Sequence, residues 1–413
     1  MDCDVVVIGA GLAGLECARS LHEHRTAVRV LESADAVGGR VRTDHVDGFT
    51  LDHGFQVLNP AYPAVRERVH LGALDLRPFL PGVAVRGADG LAVLADPRRA
   101  PQRLPGTLAS GYVHPGELLA LARWAAPALG PVHRLLDRPD ATLAESLAGA
   151  GVDGPLRREV LEPFLAGVLA TDDGTTSARF VRLLVRTFLR GTPGVPAGGM
   201  AALPEQLARA LPDVRLRTRV ERVDAVAGGH RVTTTAGTVS ARAVVVATDA
   251  PTAQALVGVP APAMNGLVTF WYAAQEPPLT EPVIVVDGRR AGPVVNAAVM
   301  SAAAPGYAPP GSHLVQVTCL LGAQAPSEAE VRRQAGEMFG ADPGGWRELT
   351  RHPVPGALPA QPPPLAVRRP VDLGDGRFVC GDHRDTASQQ GALVSGRRTA
   401  SAVGRWLTRR TAA

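Results

Sequence analysis

Apolar positions along this chain fall into two spacings that alternate from one end to the other. The runs Val5–Ile8, Val28–Leu31 and Ala243–Ala247 predict strands, the first and third, unbroken, covered on both faces as in a parallel sheet. Between the first two runs, Leu15, Ala18 and Leu21 recur at helical spacing. From Leu80 to Arg190 the pattern predicts proline-punctuated helices, including 117–129, 156–169 and 177–189. A helix over 203–211 and a strand over 214–223 follow. Strands over 267–273, 283–286, 294–300 and 314–320 then supply a second sheet, and a final helix opens in the run Gly391 to Gly396.

The first strand runs straight into Gly9-Ala10-Gly11-Leu12-Ala13-Gly14 and then the helix. Gly9 allows a tight turn, Gly11 a close approach of backbone to a pyrophosphate, and Gly14 close packing of helix on strand. Glu32 ends the second strand eighteen residues after Gly14, where a carboxylate accepts from ribose hydroxyls and disfavours a 2′-phosphate. Gly38, Gly39 and Arg40 add two permissive backbone positions and a guanidinium beside the same pyrophosphate.

GAGLAG, Glu32, GGRVRT (residues 38–43) and LDHGFQVL (residues 51–58) together resemble the flavin amine oxidase superfamily, which includes amine oxidases, protoporphyrinogen oxidase and phytoene desaturases. The resemblance implies FAD as cofactor; where some members attach the flavin to a cysteine before the closing helix, this chain has Asp385-Thr386-Ala387-Ser388-Gln389-Gln390, so noncovalent FAD is expected. The resemblance places the Gly54 backbone against the flavin ring, the Val220 backbone on the adenine, and Phe55 and Gln56 toward the catalytic cavity; for the last two, ordinary strand alternation is the competing account. At the other end, the strand 377–380 closing on Gly381 and Asp382 suits a carboxylate beside the ribityl or pyrophosphate hydroxyls. A helix N-terminus at Ala392 and Leu393 suits negative charge on the flavin. His53 is a candidate base, against the commoner fate of a hydrogen-bonded structural histidine. Phe164, with Phe180 and Phe188, resembles the wall of an apolar tunnel in the desaturase-like branch. Trp271 and Tyr272 are read either as an aromatic clamp facing the cavity or as core.

With 413 residues, 46% hydrophobic and 20% charged, the chain is globular and large enough for two cores. A net charge of +4 carried entirely by arginine, with no dense basic run, argues against a nucleic-acid surface. Arg182, Arg186 and Arg190 recur every four residues, which fits a solvated basic face or, less simply, peripheral contact with an anionic membrane. Cys3, Cys17, Cys319 and Cys380 are scattered, so no metal site is expected and a reducing cytoplasm fits, with a site at the inner face of the membrane as the variant. Ala291 to Ser327 is charge-free but broken by prolines, so it reads as two strands and a loop.

These readings predict an α/β protein: a Rossmann-like FAD-binding domain of p-hydroxybenzoate-hydroxylase-like architecture (1–75, 191–250 and 366–413), interleaved with an α+β substrate or cap domain (76–190 and 251–365). The expected activity is hydride removal from a C–H bond of an apolar small molecule or neutral amine, of the desaturase or oxidase type. The chain has no lysine, so it departs from the amine oxidases that carry one near flavin N5. A renalase-like NAD(P)H-oxidising flavoenzyme, a flavin-dependent isomerase and a non-redox flavin scaffold stand as alternatives, although no second GxGxxG unit is present for a nicotinamide.

Overall fold

The computed structural model describes residues 1–322 and 325–411. Its centre is the first strand, Cys3–Ile8, paired in parallel with Val28–Leu31 on one side and with the Ala241–Val246 half of a long strand, Gly237–Val246, on the other. Val5, Val6 and Val7 are fully buried, as a strand between two covered faces requires. Around this core the sheet runs Val220–Val226, Gly229–Thr234, Gly237–Val246, Cys3–Ile8, Val28–Leu31, Val214–Arg215, and Arg377–Val379 joins Gly237–Val246 in parallel. The first helix, Leu12–Glu23, and the last, Gln389–Thr411, pack against each other on it.

The second sheet runs Arg347–Pro359, Met264–Ala274, His313–Leu320, Val294–Val299, Ile284–Asp287, Gly82–Gly87, Gly90–Ala95. A ribbon of Thr43–Val46 and Phe49–Asp52 lies between the halves, its Asp52 accepting from Tyr307 Oη at 2.9 Å. The helices Pro115–Ala125, Glu162–Leu169 and Ala178–Phe188 share a core of Trp124, Leu147, Leu165, Phe180, Val181 and Leu184.

Several sequence expectations change here. The hairpin Gly82–Gly87/Gly90–Ala95 occupies a stretch expected to be helical. Its alternation is weak because Gly87 and Gly90 replace side chains at the turn, yet it forms the edge of the second sheet. The strand expected over 214–223 is two strands, interrupted where Arg217 takes a positive φ of 52° and Thr218 N donates to Glu32 O. The helix expected over 156–169 begins with a π-helical stretch, Leu156–Leu161, directly before Pro163. The final helix starts at Gln389, ahead of Gly391. Within 291–327 the two expected strands are present, while Ala323 and Gln324 lie outside the described residues.

The first two members of the arginine row are half-buried and hydrogen-bonded within the chain. Arg182 stacks 4.6 Å from the Trp124 ring and donates to Trp124 O and Ser146 Oγ. Arg186 donates to Ala128 O and Gly130 O, so both guanidinium groups satisfy carbonyls at the end of a neighbouring helix. No helix among the described residues is long and apolar enough to cross a membrane.

Candidate functional site

The glycine turn shows what each glycine is for. A Cβ on Gly14 would stand 2.0 Å from Gly9 O, and one on Gly9 would stand 2.8 Å from Ala247 O, so both are required by packing within the chain. Gly11 differs: its φ is an ordinary −73°, and a Cβ there would meet only Gly38 O at 4.0 Å. Nothing in the protein demands glycine at 11, and the open space beside it is what a closely approaching ligand backbone needs. The first helix starts at this point with no side-chain cap and no acid in its first turn, leaving its N–H groups and dipole for an anion.

Glu32 is held in place rather than free to swing. Its Oε2 accepts from Ala10 N at 2.7 Å and its Oε1 from Ala34 N at 2.8 Å, tying the strand end to the glycine turn. Each carboxylate oxygen keeps further lone-pair capacity for ribose hydroxyls. Arg40 donates to Asp382 Oδ1 and to Ala357 O, both at 2.7 Å. Burial opposes its charge, but the Asp382 charge and hydrogen bond hold its pKa above the ordinary arginine value. His383 follows Asp382; burial depresses its pKa to about 4, although the Asp382 charge pulls the other way.

These groups line one cavity of about 1220 Å³, larger than the roughly 300–1,000 Å³ that a single drug-sized ligand occupies. It runs from Gly11, Glu32 and Val220 past Gly38, Gly39, Arg40, Gly54, Asp382 and Ala392 into the cap, where Phe55, Phe79, Phe164, Phe180 and Phe188 line it. Phe55 meets Phe79, and Phe164 meets Phe188, in edge-on pairs with centroids 6.0 and 5.7 Å apart. Gly9 and Gly381 line the cavity too, whereas Gly14 acts from behind it through packing.

Two site expectations are corrected. Trp271 and Tyr272 are fully buried and do not line the cavity: on opposite faces of their strand they pack into two separate apolar cores, while Leu267 of the same strand reaches the cavity. Trp271 donates to His352 Nδ1 at 3.2 Å, and Tyr272 packs on Trp346. Leu393 is core, 1% exposed; Ala392 lines the cavity, but its N–H is spent on Ser388 O. Ser388 caps this helix start: Gly391 N donates to its Oγ at 3.0 Å and Ala392 N to its backbone carbonyl at 3.0 Å. Of the catalytic candidates, Gln56 lines the cavity but its amide nitrogen donates to Arg40 O and His53 O, leaving only its carbonyl free.

His53 also lines the cavity, and its Nε2 lies 2.8 Å from Asp44 Oδ2. Sequence reasoning missed what surrounds it: His352, 299 residues away, reaches the same Asp44 oxygen at 3.1 Å. Asn296 was also missed; it lines the cavity and its carbonyl accepts from the buried Gln316 amide at 3.1 Å. A lone asparagine in an apolar strand carries no spacing signal that would have singled it out.

A strand–glycine-turn–helix site continuous with an apolar chamber defines a dinucleotide-dependent oxidoreductase. Across residues 12–404 the chain matches the family described as flavin containing amine oxidoreductase, and it belongs to that family. The family's description implies a flavin cofactor. Among curated relatives it is 43% identical over 67 residues to polyamine oxidase 2 of Arabidopsis thaliana, covering 15% of this chain and 14% of that protein. It is 51% identical over 57 residues to putrescine oxidase of Kocuria rosea, covering 14% and 12%. The chain thus matches only about one-seventh of the length of these relatives. In fold, it resembles an oxidoreductase from Methanosarcina mazei (TM-score 0.75, 18% identity, 96% of this chain and 100% of that one). It also resembles cyclohexylamine oxidase from Brevibacterium oxydans (TM-score 0.66, 19% identity, 99% and 100%).

Proposed function

We propose that this protein holds FAD without a covalent link and dehydrogenates an apolar, uncharged organic substrate at a C–H bond. The observation that carries this reading is the single cavity joining the nucleotide elements to a chamber walled by phenylalanine and aliphatic side chains.

Each carboxylate that lines the cavity already has partners. Glu32 accepts from two backbone amides, Asp382 pairs with Arg40, Asp96 is bidentate with Arg98, and Asp249 caps a helix through Thr252 N. A protonated polyamine entering the chamber would lose its hydration and meet no free anion, a cost an apolar molecule or a neutral amine escapes. None of the four cysteines lines the cavity, which supports a noncovalent cofactor.

In this reading Glu32 holds the adenosine ribose, the amides at the start of the first helix and Arg40 hold the pyrophosphate, and the backbone at Thr218–Val220 faces the adenine. The bound flavin supplies the hydride acceptor. The cap side chains exclude water and orient the C–H bond; a neutral amine then loses its hydride to give an iminium with no base required, whereas a desaturated substrate also gives up a proton. Asn296 is the polar group placed to fix the direction in which a substrate lies.

Anaerobic reduction of the flavin, followed by visible absorbance, tests the reading. Bleaching by apolar alkenes or neutral amines, with none by NADH or NADPH, is expected. Prompt bleaching by a nicotinamide would make that molecule the donor.

A further inference from the structure

The geometry points to a binding site for a zinc-class divalent transition-metal ion formed by Asp44, His53 and His352 at the wall of the cavity. The three come from separate elements: Asp44 from the strand Thr43–Val46, His53 from the turn after Phe49–Asp52, and His352 from Arg347–Pro359. One ligand atom from each lies within 4.8 Å of the other two. Both imidazoles offer Nε2 to the same Asp44 oxygen, at 2.8 and 3.1 Å, and the rings stack with centroids 4.5 Å apart and planes at 26°. Zinc holds nitrogen and oxygen ligands at about 2.0–2.2 Å, so its ligand atoms stand roughly 3.3 Å from one another. Small rotations of the two rings reach that spacing.

The donor set selects the ion. Two imidazoles and one carboxylate suit zinc, nickel, cobalt or copper, whereas magnesium and calcium require an oxygen cage. Three protein ligands with side chains 41%, 28% and 13% exposed leave a coordination position and an entry path for water.

The surroundings orient His352 as a ligand. Its Nδ1 lies 3.1 Å from Asp52 O, the backbone carbonyl contact by which a metal-bound histidine is commonly fixed through its other ring nitrogen. Asp52 is itself anchored through its carboxylate by Thr43 Oγ1, Met200 N and Tyr307 Oη. Nδ1 serves one partner at a time. When it accepts from Trp271, Nε2 carries the proton and donates to Asp44; when it donates to Asp52 O, Nε2 is a free lone pair for metal. The metal-free form is thus a hydrogen-bonded His–Asp–His bridge, and the metal-bound form gives up the Trp271 contact. Bound metal would clamp the ribbon 43–52 to the second sheet and immobilise His53 in the cavity wall.

The test is calorimetric titration of tag-free, chelator-stripped holoprotein with zinc chloride, beside Asp44→Asn and His352→Ala. Circular dichroism and flavin content establish that the variants are folded. One zinc per chain in the parent is expected, with roughly a tenfold or greater loss of affinity in each variant and no competition from magnesium. X-ray absorption at the zinc edge of the parent needs no variant and is expected to show two imidazoles with oxygen ligands. No saturable uptake by the parent, unchanged uptake in the folded variants, or an absorption spectrum without imidazole would each overturn the assignment.

Discussion

Arg40 Nη2 stands 2.7 Å from Asp382 Oδ1, an ion pair between residues 342 positions apart. It joins the loop after the second strand to the loop after Arg377–Val379, and so closes the nucleotide site from both ends of the chain. Each partner keeps the other from being a desolvated lone charge. Arg40→Ala should lower flavin affinity by about 10- to 100-fold, and Asp382→Asn, which keeps the shape, by less. Flavin content after extensive dialysis and fluorescence titration of the apoprotein measure both.

Two glycines of one motif should fail differently when replaced by alanine. Gly14→Ala drives a methyl into Gly9 O, so it should lower the thermal midpoint of the apoprotein, at a cost of about 1–3 kcal/mol. Gly11→Ala meets only Gly38 O, at an ordinary contact distance of 4.0 Å, so its apoprotein should melt near the parent while flavin binding is lost. Equal midpoints for the two variants, or full flavin content in Gly11→Ala, would remove the basis for placing a pyrophosphate there.

His383 gives the fold a defined acid limb. Burial sets its folded pKa at about 4, below the 6.5 it has when unfolded, so folding requires the neutral ring. Its contribution is fully present above pH 6.5 and is lost as pH falls toward 4, amounting to about 3 kcal/mol over that window. Urea denaturation from pH 7 to pH 4 should show a steeper loss of stability for the parent than for His383→Gln.

Trp271 and Phe55 separate core from chamber. Trp271→Phe removes the hydrogen bond to His352 and should cost about 1 kcal/mol of stability with little change in KM for any substrate found. Phe55→Ala opens the cavity wall and should change KM or kcat with a smaller effect on the thermal midpoint.

What could be read from the sequence followed chemistry that is local in the chain. The place of Glu32 at the end of the second strand, lining the cavity, was legible from its spacing from Gly14, because it depends only on strand, turn and helix lengths within one stretch of chain. Trp271 and Tyr272 were ambiguous because strand alternation shows that they face opposite ways but not what each face meets; here each meets an apolar core built from residues far away in the chain. The cluster of Asp44, His53 and His352 left no signature, since its members are separated by up to 308 residues and meet only through the ribbon and the second sheet. Arg182 looked like a surface charge because spacing shows a face but not the Trp124 carbonyl and ring or the Ser146 hydroxyl that come to meet it.

The central claim is that FAD sits noncovalently in the cavity between Glu32 and Phe164, and acid precipitation of the purified yellow protein tests it most directly. About one FAD per chain in the supernatant, identified by chromatography, is the expected result. A colourless protein that takes up no FAD, or flavin that stays with the precipitate, would contradict it.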